Sequence, residues 1–214
     1  AQSIPEEEEL ARVAPVIEEL NRSAEAVISV DTTKARVAAR AVELGARIIN
    51  DVSALAFDPD MPRVAAESGC GVVLMHMRGT PRTMQEDPRY GDVTAEVAGF
   101  LASRRRAALE QGIGRECLAV DPGIGFGKKL EHNLRLLAHL ERLGEEGYPV
   151  VVGLSRKSFL GSILGREAED RLAGSLAALV FCMLHGAHVM RVHDVGESMD
   201  AVRTVMRLKS AREF

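Results

Sequence analysis

The sequence predicts an α/β fold with a parallel sheet, a (β/α)8 barrel of the TIM type with six of its eight strands represented in this chain. Three observations carry that expectation. Six short runs rich in β-branched residues are apolar without two-residue alternation, the pattern of strands covered on both faces. Segments with helical spacing separate most of these runs, so the chain reads β-α-β-α. Each strand also ends in a polar residue, and a barrel gathers all its strand ends at one mouth, whereas an open sheet gathers only those at its switch point.

In chain order, the first helix is expected over roughly 5–20, where Pro5 suits the first helical position and Glu6 to Glu9 complement the positive end of the dipole; that acidic run reads as a solvated helix start. Strands are expected at 27–31, 47–51, 72–76, 117–121, 150–154 and 188–194. Helices are expected over 35–44, 92–111, 130–143 and 197–209, with a helical segment after residue 157 and an apolar helix over 172–184. The polar ends are Asp31, Asn50 with Asp51, His76, Asp121, Ser155 with Lys157, and Arg191 with His193. No linker rich in Pro, Gly or Ser interrupts the chain, so residues 1–214 are expected to form one domain. A barrel uses eight strands and about 250 residues. Two N-terminal strand-helix units are therefore expected to be missing from this chain.

Composition narrows the function. The chain is 46% hydrophobic and 27% charged, enough for one well-buried core. Its longest apolar run, Leu176 to Leu184, is about half the ~18 residues of a membrane span, and no leader is visible, so a soluble cytoplasmic protein without a membrane partner is expected. Interleaved charges summing to −4 give no basic field for nucleic acid, and 4% aromatics leave little stacking surface. Cys70, Cys117 and Cys182 form no CxxC pair, which fits a reducing compartment and excludes a zinc knuckle.

The motifs favour a small anionic ligand. Asp121 is followed by Gly123, Gly125 and Gly127 in GxGxG spacing, and Lys128 by no Ser or Thr, so neither a dinucleotide nor a Walker loop is met. A strand-ending acid before three glycines instead brings backbone close to a ligand. In GLSRKSF (153–159), Arg156 and Lys157 stand at a helix start, where the dipole disfavours cations unless an anion sits among them. Arg191 and His193, two apart on an expected strand, share a face and are expected to reach into the mouth, with Asp194 on the other face. Asp31, Asn50 and Asp121 suit the edge of an amide- or guanidine-like heterocycle, although Asp31 before Thr32 equally suits a helix cap. Met75 and His76 read as pocket wall. His185 and His188 straddle Gly186 and no HExxH occurs, which disfavours a transition-metal site.

Taken together, SVDT (29–32), INDV (49–52), LMHMRGTPRTMQ (74–85), DPGIGFGK (121–128), GLSRKSF (153–159) and RVHDV (191–195) resemble the dihydropteroate synthases over essentially the whole chain. SVDT and INDV are also similar to the pterin-binding methyltransferase domains of cobalamin-dependent methionine synthases, and SRKSF with RVHD separates the two. The resemblance implies a transferase, a target of sulfonamides, that condenses hydroxymethyl-dihydropterin pyrophosphate with p-aminobenzoate, uses Mg2+ and forms a homodimer. It places Asp121 and Asn50 on the polar edge of the pterin, with Asp31 beside them and Met75 in the wall. Lys157 would contact the pterin and stabilise the reacting centre. Arg191 and His193 would hold pyrophosphate, and Arg191 would also cover the pterin face. Phe126 would flank the p-aminobenzoate slot with Lys157, and Ser158 would receive the carboxylate. Lys157, Asp31, Arg191 and His193 form the catalytic group in this reading.

Two loops of the family, one containing Asn and one reading Ser-Thr-Arg-Pro, are not matched, and Ala1-Gln2 resembles the tail of the second. The metal ligand is expected in that missing region. The rivals are a corrinoid-dependent methyltransferase domain, against which the Arg191 and His193 clamp weighs, and a non-catalytic pterin-binding homologue. The segment from Leu172 to Leu184 is apolar nearly all round, wider than the stripe a barrel helix needs, and is expected to meet a second copy.

Overall fold

The computed structural model describes residues 4–144 and 146–211; Ala1 and Gln2 lie outside them. Six strands run parallel and neighbour one another in chain order: β1 (Ser29–Asp31), β2 (Ile48–Asp51), β3 (Gly71–Met75), β4 (Leu118–Asp121), β5 (Val151–Gly153) and β6 (Val189–Arg191). The first four form one ladder and the last two another, and a parallel bridge between Val120 and Val150 joins them. Among the described residues, β1 and β6 are each paired on one side only. Around this arc lie α1 (Glu6–Ser23), α2 (Ala35–Glu43), α3 (Met61–Ser68), α4 (Val93–Glu110), α5 (Leu130–Ala138), α6 (Glu141–Gly144), α7 (Ser158–Leu164), α8 (Leu172–Leu184) and α9 (Val195–Ser210).

Alternation along each strand sorts its side chains. Val30, Ile49, Val72, Leu74, Val120 and Val152 are buried beneath the helices. Their neighbours in sequence face inward, around a cavity of about 840 Å3 that carries Asp31, Asn50, Asp121 and Arg191 among its lining. Local signals end the helices: the Asp92 carboxylate accepts from the N–H groups of Thr94 (3.0 Å) and Ala95 (3.2 Å) to cap α4, and left-handed Gly69 and Gly165 close α3 and α7.

Several expectations are corrected. The strands are shorter than the apolar runs, because pairing starts after Val27, which is 71% exposed, and β6 stops at Arg191, the partner of the last residue of β5. His193 and Asp194 therefore lie in the loop entering α9 and not on opposite faces of a strand. Pro5 precedes α1 and Pro15 lies within it. The expected helix over 130–143 breaks at His139, whose backbone leaves the helical region. Helix α3, with Pro62 in its first turn, was not anticipated. Nor is the acidic run of α1 merely solvated: Glu9 pairs with Lys34 and accepts from Thr32 Oγ1 (2.5 Å), and Glu6 pairs with Arg36 (3.0 Å), fixing α1 onto the start of α2.

Candidate active site

The parallel register sets Asp31 opposite Asn50 and Met75 opposite Asp121 at the C-terminal end of the sheet. Asn50 Nδ2 donates to Asp31 Oδ1 at 2.9 Å, and Arg191 Nη2 donates to Asp31 Oδ2 at 2.7 Å. Asp31 thus bridges β2 and β6 and does not cap α2, whose first N–H group, on Ala35, bonds the Asp58 carboxylate (2.7 Å). Past Asn50, buried Asp51 accepts from the N–H groups of Ser53 (2.7 Å) and Leu55 (3.1 Å), holding Ala54 and Leu55 at φ 54° and 63°.

Asp121 accepts the Gly123 N–H at 2.6 Å. Burial pushes its carboxyl above the ordinary range, opposed by that N–H and by the cations Lys157 and Lys128. The loop that follows is turned so that successive carbonyls meet side chains. Gly123 O and Phe126 O each accept from Lys128 Nζ (3.0 Å), Ile124 O from Lys157 Nζ, Gly125 O from Gln85 Nε2 (2.7 Å) and Gly127 O from the Tyr90 hydroxyl (2.8 Å). Gly123 and Gly127 have φ of 65° and 64°, and a Cβ there would stand 1.9 Å from His76 O and 2.6 Å from Arg78 O. Only glycine permits this path.

Lys157 Nζ also lies 4.8 Å from the centre of the Phe126 ring, and burial lowers its pKa while Asp121 raises it. Neighbouring Arg156 turns away. It pairs with Asp194, whose carboxyl it holds below the usual value, so the anion that the dipole argument demanded at Arg156 is a side chain of the protein. Arg171 Nη1 secures this turn by donating to Arg156 O (2.9 Å). His193 is exposed and is linked to the same turn by its backbone N–H, which meets Ser155 Oγ at 3.4 Å; Ser158, also exposed, opens α7.

Residues 1–193 match the family described as pterin binding enzyme. The chain belongs to the pterin-binding enzyme family. The dihydropteroate synthase of Escherichia coli (strain K12) is 46% identical over 213 residues, covering 100% of this chain and 75% of that protein. The crystal structure of the Yersinia pestis dihydropteroate synthase with a sulfonamide drug complex matches with a TM-score of 0.95 at 41% identity, over 98% of this chain and 76% of that one. The dihydropteroate synthase from Xanthomonas albilineans in complex with 7,8-dihydropteroate matches with a TM-score of 0.91 at 45% identity, over 98% and 77% respectively. The fold is thus the TIM-type barrel, and six of its strands are in this chain.

In this pterin-binding enzyme the side chains singled out from the sequence fall into two groups: Asp31, bonded to Asn50 and Arg191, and Asp121, whose charge acts on Lys157, which in turn stands over the Phe126 ring. They meet over bare backbone: a Cβ on Gly153 of β5 would stand 3.9 Å from Lys157 Nζ and 4.0 Å from Arg191 Cβ. Met75 is buried and stands opposite Asp121 in the ladder of β3 and β4. His193 and Ser158 are exposed, and neither side chain hydrogen-bonds a member of either group. Sequence reasoning missed Lys128, which is 3% exposed and bonded to His76 Nδ1 at 2.9 Å. The signal was available, since Lys128 stands just before a helix start, as Arg156 and Lys157 do. Among the described residues no three His, Cys, Asp or Glu side chains are grouped to hold a metal, and no helix is long and apolar enough to cross a membrane.

Proposed function

We propose that this site condenses hydroxymethyl-dihydropterin pyrophosphate with p-aminobenzoate to give dihydropteroate and pyrophosphate. The observation that carries this is the meeting of an acid-and-amide edge, Asp121 with Asn50 and Asp31, with two cations, Lys157 and Arg191, over the open backbone of Gly153. Such an edge complements a guanidine-like heterocycle, and the cations complement a departing anion. Relatives named dihydropteroate synthase at 46% identity support this chemistry over a corrinoid methyltransferase.

In the reaction, the C–O bond between the pterin methylene and pyrophosphate breaks, leaving a carbon cation stabilised by the ring. The aniline nitrogen attacks it, a C–N bond forms, and the nitrogen gives up a proton. The protein positions the partners and stabilises separated charge. Asp121 and Asn50 hold the pterin edge, Met75 lies in its wall, and Lys157 faces the reacting centre. Arg191, released from Asp31, and His193 receive pyrophosphate. Phe126 and Ser158 flank the aminobenzoate. Magnesium is proposed only as a companion of the pyrophosphate oxygens; no described residue is assigned to hold it and no step runs through it.

A homodimer is proposed through α8, an almost wholly apolar helix on which Phe181 and Leu184 are 43% and 48% exposed, and a cytoplasmic location fits the three free thiols. The deciding experiment measures pyrophosphate release from the full-length protein with both substrates. Release that depends on p-aminobenzoate is expected; pterin binding without release supports the non-catalytic reading.

A further inference from the structure

We propose that Lys128 is a positioning residue: its buried side chain holds the loop after β4 so that Phe126 and the carbonyl of Ile124, the partner of Lys157, stand where the second substrate must approach. This rests on the function proposed above. Four acceptors face the one nitrogen: Gly123 O and Phe126 O at 3.0 Å, His76 O at 3.3 Å and His76 Nδ1 at 2.9 Å. Three are backbone carbonyls, and among the described residues no carboxylate bonds Lys128. A lysine so placed fixes the path of the chain through its bonds and reaches Asp121 only through its field.

Its contacts tie the loop after β4 to the residue that follows β3, and they are interspersed with ties from other side chains. Within the five carbonyls from Gly123 to Gly127, Lys128 takes the first and fourth, while Lys157, Gln85 and Tyr90 take the others. Burial pushes the Lys128 ammonium down to about 7, with Asp121 opposing; even as a neutral amine it keeps two N–H donors for these carbonyls. His76 is neutral, since burial and the neighbouring Lys128 push it down to about 3, and in the tautomer with its proton on Nε2 the Nδ1 atom accepts from Lys128.

Loss of these bonds frees Phe126 and the Ile124 carbonyl, whereas Asp31 and Asn50 stay fixed by the ladder of β1 and β2. The two substrates should therefore respond differently. In Lys128→Met the KM for p-aminobenzoate is expected to rise by about tenfold or more while that for the pterin pyrophosphate stays within about threefold. The variant should keep a single cooperative melt, and amides 123–128 should exchange hydrogen faster. Tyr90→Phe, which removes the hydroxyl that meets Gly127 O, should shift the same KM in the same direction by about threefold.

A folded Lys128→Met with both KM values unchanged, or both raised equally, overturns the proposal. Should Lys128→Met not fold, an unchanged p-aminobenzoate KM in Tyr90→Phe overturns it. Absence of pyrophosphate release by the unmutated protein would instead defeat the proposed function. Hydrogen exchange then decides the loop, and unchanged exchange at 123–128 in Lys128→Met, or in Tyr90→Phe if the former does not fold, overturns the positioning role.

Discussion

The loop after β4 and the segment 78–92 that passes over it touch, yet they are held by opposite means. Beneath, buried Lys128 gathers carbonyls in a site closed to water. Above, the ties include ion pairs between exposed side chains: Arg78 with Glu96 (3.0 Å), Arg89 with Asp87 (2.6 Å) and Lys129 with Asp87 (3.1 Å). Pairs of that kind contribute about 0–1 kcal/mol each and weaken with salt. Buried hydrogen bonds to a lysine do neither. The floor of the site is therefore held by buried bonds and the rim in part by pairs that salt weakens, although the two are neighbours in space.

The harshest way to break that contrast is a methyl group in the floor. Gly123→Ala sets a Cβ at 1.9 Å from His76 O on a left-handed residue, and should destabilise the protein by roughly 2–4 kcal/mol in urea denaturation, with loss of turnover. At the edge of the floor, Asp121→Asn should leave the melting temperature nearly unchanged while weakening pterin binding by about 10- to 100-fold in calorimetry. The amide offers a donor where a donor already stands, losing charge-assisted bonds worth ~1.5–3 kcal/mol.

His76 sharpens the contrast through pH. An unfolded histidine takes up a proton near pH 6.5, while folded His76 resists until about 3, so stability is lost as pH falls through that window. His76→Gln should flatten this acid limb in thermal melts at pH 4 and 7, and a limb of unchanged slope would show that the histidine is not buried beneath the loop. The smallest effect belongs to the rim: Asp87→Ala should lower the melting temperature only marginally, and the difference should vanish near 1 M NaCl, because both its partners are exposed.

How far the sequence reaches depends on how local the cause is. Asp31, Asn50, Asp121 and Arg191 were legible because a polar residue closing an apolar run must stand at a strand end, and parallel strands bring those ends together. His193 was misplaced on a strand because the end of β6 is set by where β5 stops, which the 188–194 run does not record. The dipole argument rightly asked for an anion near Arg156, but its source, Asp194, lies 38 residues away. For Lys128 the sequence carried only its place just before a helix start, and not its partners. Its partners are carbonyls aimed inward by the left-handed turns at Gly123 and Gly127, and carbonyl direction has no letter in a sequence.

The bond between Arg191 and Asp31 joins residues 160 positions apart. They end the first and last strands of the arc, with β2 to β5 between them, so this contact is highly non-local, and the chain must close a very long loop before the bond can form. Competence to bind is accordingly a late event in folding, gained after the helices and the neighbouring strand pairs. A ligand that engages both ends selects the fully assembled chain and stabilises it by mass action, so that the substrate guards the integrity of the enzyme that consumes it.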